Sequence, residues 1–418
     1  MKLSRFDNGE TKCYLHVVAQ YPPVFGGAER YCASISESLV ALDYHVQVYT
    51  SQLRSRTTWQ NELVRLDVIN RVPVRRFSAL QRGRITWRLF HWSKHNYSCR
   101  RQLIYELGLM LAEGPVCPML TTAILKDMRR VALVHVFGLY SAMAWQVIEL
   151  AKLLRRPLII TPFTHQETGN LQMIWKQRAL GAAEHIVAMT NQEKIYLAQQ
   201  FNIPDQRISV VSPGINPVDY KQLDQKECRR QLEIPDSAFV LLFLGRKDEE
   251  KGLSTLFAAR EELHRRGHTS AYLLLVGPDT HYSQEFLRHF SSNDRIKDLG
   301  AVDEKTKLIA LNACNCLVLP SRSESFGIVL LEAWAVGKPV VVARSAATAE
   351  LVVDGKDGYL FQADSALELA DQLEALMLDP TQATFMGDFG KKKVLADFTT
   401  QSMGARMSKI YDSIVGKQ

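Results

Sequence analysis

The 418-residue sequence lacks several things that would place it elsewhere. No apolar run reaches the roughly 18 residues a membrane-spanning helix needs. The N-terminal MKLSRFDNGETKCYLHVVAQ holds no apolar core of signal-peptide length, so a cytoplasmic protein is expected. There is no GxGxxG dinucleotide fingerprint and no P-loop pattern, which weighs against hydride transfer and P-loop chemistry. The seven cysteines include one close pair, Cys314 and Cys316, with no second pair or histidine cluster, so buried free thiols are expected rather than a zinc site. Internal repeats and low-complexity segments are absent. Acidic residues are missing altogether between Asp67 and Glu106.

What is present is a globular composition, 46% hydrophobic and 23% charged, on a chain too long for one ordinary core. Short apolar runs read as buried strands at 13–20, 45–51, 131–137, 157–163, 185–190, 239–245, 271–277, 315–320 and 339–343. Helical patterns fall between many of them, at 28–42 and 253–267 for example. Near-continuous apolar strands alternating with helices imply parallel sheets covered on both faces. The series pauses at VVSPGINPVDYKQLDQKECRRQLEIPD (210–236), where prolines and charges replace the periodic pattern. The expected organisation is α/β, with two Rossmann-like doubly wound domains at 1–214 and 215–399 and a C-terminal helix near 400–418 that packs back on the first. Open sheets of this kind bind ligands at the carboxyl ends of their strands, here expected along a central cleft between the domains.

Three stretches carry phosphate chemistry. In GGAERY, Gly26 and Gly27 sit between a strand-following loop and a helix, where backbone N–H groups can approach an anion; a plain strand-to-helix turn explains them equally well. LFLGRKDEEKG sets Gly245, Arg246 and Lys251 just past a strand, two cations suited to a diphosphate, although Asp248, Glu249 and Glu250 alongside also fit a solvated charged loop. SRSESFGIVLLEAWAVGKPVVVA places Glu324 in a loop and Glu332 on a helix expected from about Ile328 to Val336. Ser325, Phe326 and Gly327 open that helix and can cradle a phosphate on their N–H groups. A carboxylate in so apolar a helix needs polar partners. Vicinal sugar hydroxyls would serve, and so would a buried arginine or the end of another element that the carboxylate caps.

Together these stretches resemble the family 4 glycosyltransferases, retaining enzymes of GT-B fold. The resemblance rests on Glu324-x7-Glu332 followed by AWAVGKPVVVA, on GRKDEEKG, on PGIN (213–216), on GGAERY and on DGKDGYLF (354–361). It implies that Arg246 and Lys251 hold the donor diphosphate, with Gly245 on the same turn. It implies that Ser325 to Gly327 bind the phosphates, that Glu332 holds the ribose hydroxyls and that Glu324 faces the transferred sugar. Gly26 and Gly27 would close on the diphosphate from the first domain. His165, in ITPFTHQE, matches an active-site histidine of the family, although Thr161-Pro162-Phe163-Thr164 intervenes between it and the apolar run. His135 reads as a core or supporting histidine. Asp43-Tyr44-His45 stands where the family usually has a glycine after the first helix, a surface departure.

The implied activity is a hexosyltransferase-type transfer (EC 2.4) from a nucleotide-sugar to a glycan, lipid-linked or small-molecule acceptor, in glycan, polysaccharide or glycolipid synthesis. No strict Asp-x-Asp occurs in the chain, so neither a metal nor another cofactor is expected. A nucleotide-sugar epimerase and a non-catalytic nucleotide-sugar-binding scaffold are the rivals; the first would turn over donor without acceptor, and the second would be free to lose Arg246, Lys251, Glu324 and Glu332. The acid-free segment carries Arg75, Arg76, Arg84, Trp87, Arg88 and Trp92 among other cations and aromatics. That mixture suits an anionic membrane surface presenting the acceptor; a solvated basic helix is the alternative, and nucleic acid is disfavoured because no binding motif accompanies the charge.

Overall fold

A computed structural model describes residues 13–24, 26–54, 59–80, 106, 108, 114–164, 174–289 and 295–416. The chain divides into two compact units, Met1–Ser212 with Thr400–Gln418, and Pro213–Thr399.

In the first unit the described elements run β1 (Cys13–Val18), α1 (Gly27–Ala41), β2 (Val46–Ser51), β3 (Leu66–Ile69), β4 (Val72–Phe77), α2 (Pro118–Asp127), β5 (Val131–Phe137), α3 (Ala142–Leu153), β6 (Leu158–Thr161), α4 (Ile174–Ala182), β7 (His185–Ala188), α5 (Asn191–Phe201) and β8 (Ile208–Val210). The strands form one sheet in the order β3-β4-β2-β1-β5-β6-β7-β8. Pairing is parallel except between β3 and β4. β5 is buried along its whole length because helices cover both faces, which is why VALVHVF shows no polar alternation. β3 lies at the edge and alternates between exposed and half-buried residues. The strand order reverses at β1 and β5, so the loops after these two strands flank the switch point where such sheets take ligands.

The second unit runs α6 (Gln225–Gln231), β9 (Phe239–Leu244), α7 (Leu253–Arg265), β10 (Ala271–Val276), α8 (His281–Arg288), β11 (Ile296–Asp298), α9 (Glu304–Ala313), β12 (Cys316–Leu319), α10 (Ile328–Ala335), β13 (Val340–Ala343), α11 (Ala346–Leu351), β14 (Gly358–Phe361), α12 (Ala366–Leu378) and α13 (Pro380–Asp397). Its sheet, β11-β10-β9-β12-β13-β14, is parallel throughout and reverses order between β9 and β12. α10 ends where Gly337 takes φ +74° and the Lys338 N–H caps Ala333 O at 2.9 Å. α13 reaches α10 closely because Gly390 has no side chain: a Cβ there would fall 2.1 Å from the Trp334 ring.

The last helix, α14 (Thr400–Val415), belongs to the first unit and packs on α1. Tyr411 anchors it from within the core. Its hydroxyl meets His16 Nε2 at 2.8 Å and His135 Nδ1 at 2.6 Å, and His135 Nε2 lies 2.8 Å from Thr161 Oγ1. His16 Nδ1 completes the chain at 2.8 Å from Ser36 Oγ. His135 is thus a core histidine with polar partners on both ring nitrogens. The cysteines Cys13, Cys32, Cys117, Cys228, Cys314 and Cys316 are buried free thiols, and burial pushes Cys13 and Cys117 up to about 12, away from reactivity.

Candidate functional site

The second unit builds its site at the switch point from two loops. The first leaves β9 at Gly245, whose φ of +158° is at the limit of what a side chain tolerates. It closes on Gly252, at φ +71°, as α7 begins. The second leaves β12 at Pro320 and enters α10 at Gly327, at φ +89°. The loops touch through their backbones. The Arg322 N–H donates to Glu250 O at 3.0 Å, and a Cβ on Gly252 would lie 2.0 Å from Pro320 O. This approach brings Lys251 Nζ to 2.7 Å from Glu324 Oε1. Ser325, Phe326 and Gly327 lead directly into α10, with Phe326 buried and its ring 5.9 Å from that of Phe398. Arg246 projects outward, 62% exposed, and pairs with Asp248 two residues on. That pairing fits a solvated charged loop and leaves the guanidinium at the surface.

Glu332 is fully buried among Leu330, Leu331, Ala333 and Trp334. It has protein partners: Tyr220 Oη donates to its Oε1 at 2.8 Å, and Lys307 Nζ sits 3.0 Å from the same oxygen. Lys307 also meets Glu304 at 2.5 Å. Neither Tyr220 nor Lys307 stands out in the sequence, because one lies in the proline-rich connector and the other in an ordinary amphipathic helix.

Lys247 escaped the sequence reading as well. It is wholly buried beside the exposed Arg246, and its Nζ bridges Asp298 at 2.5 Å and Asp279 at 2.7 Å. Its N–H donates to Pro278 O and its carbonyl accepts from Thr280 Oγ1 at 2.8 Å. Asp298 Oδ1 accepts from the Gly300 N–H at 2.9 Å. One lysine thereby ties together the loops after β9, β10 and β11. The only sequence signal was a third cation in a loop already rich in charge; its partners lie 32 and 51 positions away.

In the first unit Gly26 caps α1 in extended conformation and Gly27 opens it. A Cβ on Gly27 would meet nothing within 4 Å, so the fold itself does not demand glycine there. Arg76 corrects the sequence reading. It is not a surface cation but 1% exposed, held by Asp67 at 3.0 Å and donating to Pro22 O at 2.7 Å in the loop that leads to the glycines. Arg76 shares a face of β4 with the buried Val72 and Val74, and Phe77 is buried on the other face. Arg75 is also engaged, 2.9 Å from Asp127 and over the Tyr49 and Phe77 rings. Arg84, Trp87, Arg88, Trp92 and His165 lie outside the described residues. The segment entering His165 is held in place: Glu193, a buried acid whose pKa burial raises, accepts from Thr164 N–H at 2.8 Å, Thr164 Oγ1 at 2.7 Å and Met189 N–H at 2.7 Å. Among the described residues no three His, Cys, Asp or Glu side chains gather as a metal site would require, and no helix is long and apolar enough to cross a membrane.

Two doubly wound parallel sheets, each with charged or glycine-rich loops at its switch point, define the GT-B class of α/β proteins. Comparison with known proteins narrows this further. The family described as Glycosyltransferase Family 4 matches residues 25–219, and Glycosyl transferases group 1 matches residues 224–393. The chain belongs to the family 4 glycosyltransferases. It is 29% identical over 253 residues to D-inositol 3-phosphate glycosyltransferase 2 of Catenulispora acidiphila, a match covering 57% of this chain and 58% of that one. A D-inositol 3-phosphate glycosyltransferase of Arthrobacter sp. is 29% identical over 296 residues, covering 64% and 69%. The match to the first relative thus spans less than two thirds of its length. Among solved structures, sucrose-phosphate synthase of Thermosynechococcus elongatus superposes with a TM-score of 0.77 at 20% identity, covering 97% of this chain and 100% of that one. HepE of Anabaena in complex with UDP and glucose superposes at 0.73 with 18% identity, covering 96% and 99%. At such identities the likeness shows the fold.

Proposed function

We propose that the protein transfers a sugar from a nucleotide-sugar donor to a glycan, lipid-linked or small-molecule acceptor, with retention of anomeric configuration and without a metal ion. The observation that carries this reading is the meeting of Lys251 and Glu324 where the second sheet reverses order, directly before the N-terminus of α10. A donor diphosphate at that point finds the Lys251 ammonium, the Arg246 guanidinium and the helix-opening N–H groups of Ser325 to Gly327. These groups offset the charge that builds on the leaving diphosphate, the task a bound cation performs in metal-dependent transferases. The lack of Asp-x-Asp supports the metal-free version. Glu324 then faces the transferred sugar, and Glu332 accepts from the ribose hydroxyls. On the first unit, Gly26 and Gly27 open α1 and can offer backbone N–H groups to an anion. His165 supplies a polar contact near the sugar, and the acceptor nucleophile arrives on the face the diphosphate leaves.

That HepE was solved with UDP and glucose supports a nucleotide-sugar donor. The acceptor would be lipid-linked or otherwise anionic, on the cytoplasmic side of a membrane, with Arg84, Trp87, Arg88 and Trp92 as the contact and Arg75 and Arg76 committed to the fold. Liposome flotation checks this: no binding to anionic vesicles at low salt removes the membrane contact. The donor site is tested by a thermal-shift panel of UDP, GDP, ADP and their sugar conjugates, with and without EDTA. A ligand held by the folded state raises the melting temperature. A rise with one nucleotide family that survives EDTA is expected; silence across the panel and in calorimetry overturns the donor reading.

A further inference from the structure

Lys307 and Tyr220 converge on one oxygen of Glu332 from two different parts of the chain, α9 and the connector that follows Pro213. α10 is otherwise apolar, and a carboxylate buried in such surroundings takes up a proton unless a cation and hydrogen-bond donors offset the loss of water. A protonated carboxyl spends one oxygen as a donor, whereas an ionised one accepts only, through about four lone-pair directions. A vicinal diol presents two O–H donors, so it is best met by the ionised form. Lys307 supplies the charge at 3.0 Å, and its other partner, Glu304, lies toward solvent, so the ammonium is buried with its charge compensated on both sides. Tyr220 supplies the second restraint at 2.8 Å. Two donors reaching one oxygen from separate elements fix the carboxylate plane as well as its charge.

We infer that Lys307 and Tyr220 are positioning residues for nucleotide recognition: they keep Glu332 an oriented acceptor and so give the site its preference for a ribose diol. The inference rests on the donor-site reading above. It also makes the connector that carries Tyr220 part of the nucleotide site.

The test is calorimetric titration of the folded full-length protein with UDP, GDP or ADP, whichever binds, against its 2′,3′-dideoxy form. The wild type is expected to hold the ribonucleotide at least about tenfold more tightly, as hydrogen bonds to a charged group require. Lys307→Met should bring the two ligands to within about threefold while leaving the dideoxy affinity near wild type, since Lys307 contacts no phosphate-binding group. A purely structural role would weaken both ligands together and leave their ratio untouched. If Lys307→Met does not fold, Tyr220→Phe should narrow the ratio and Lys307→Arg should keep it. An unchanged ratio in the folded variants overturns the inference and leaves the donor site standing. A wild type that binds both forms equally overturns the assignment of ribose to Glu332, and this inference with it; a wild type that binds no nucleotide overturns the donor reading itself.

Discussion

Gly252→Ala offers a severe test of the site's construction. Gly252 sits at φ +71°, and a Cβ there would fall 2.0 Å from the backbone oxygen of Pro320. The left-handed conformation costs an alanine about 1–2 kcal/mol. The contact adds more, because Pro320 O cannot rotate away as a side chain could, and the loops must part by roughly 1.4 Å to reach ordinary van der Waals distance. Overpacking of that kind costs about 1–3 kcal/mol, and parting also strains the bond from the Arg322 N–H to Glu250 O, 3.0 Å long here and worth about 1 kcal/mol. The expected loss is about 3–6 kcal/mol, or about 6–24 °C in melting temperature for a unit of this size. Gly267→Ala is the control. Gly267 has φ +93° but open space at its Cβ position, so it incurs only the conformational term. Urea unfolding of the two variants separates the effects, and titration with the best-binding nucleoside diphosphate reads the second consequence. Moving Lys251 away from Glu324 should weaken that ligand in Gly252→Ala alone. Equal destabilisation of the two variants, with equal ligand affinity, would refute the close approach of the two loops and the site built on it.

Other expectations follow from single contacts. Lys247→Met should cost about 2–4 kcal/mol, at the lower end for a broken buried pair because Asp279 and Asp298 both keep some solvent; urea unfolding measures this, and Lys247→Met with Asp298→Asn should recover part of it. Arg246→Ala should lower turnover at least about tenfold with little change in melting temperature, since the side chain is largely exposed and tied only to Asp248; a fall in both together would make Arg246 structural. Acid should weaken the first unit through its histidines. Burial holds His16 down at about 3 and His135 well below its usual value, whereas both titrate near 6.5 when unfolded. This contribution is therefore complete above pH 6.5 and falls as pH drops toward 3, by about 1.4 kcal/mol per pH unit for each histidine. Unfolding midpoints at pH 7, 6 and 5 should show the slope, and His16→Gln should remove one histidine's share.

The strands that were legible in advance are those buried on both faces. VALVHVF and AYLLLV can hardly be anything else, and they appear as β5 and β10 within a residue of their expected bounds. The strands that escaped are of another kind. β3 is an exposed edge that alternates, β4 carries a proline and two arginines, β8 and β11 have three residues each, and β14 follows an acidic-glycine turn with four residues of strand. None of them offers a long apolar run. The same division holds in the site. Gly327 and Gly337 bracket α10 because helix ends need particular backbone angles, which local residue types reveal. Arg76 misled because a cation among cations reads as surface; only the pleat of β4 turns it inward toward Asp67 and Pro22.

Periods, turn glycines and apolar runs are properties of neighbouring residues, so the doubly buried strands and the two loops at the second sheet's reversal could be read directly from the chain. The partners of a buried charge are chosen by distance in space. Lys247 with Asp298, Lys307 with Glu332, and Tyr411 between His16 and His135 join positions 51, 25, 395 and 276 apart. No local pattern carries such a pairing, because burial makes each charge depend on whichever partner the packed sheets and helices bring within 3 Å, and only the tertiary structure decides that.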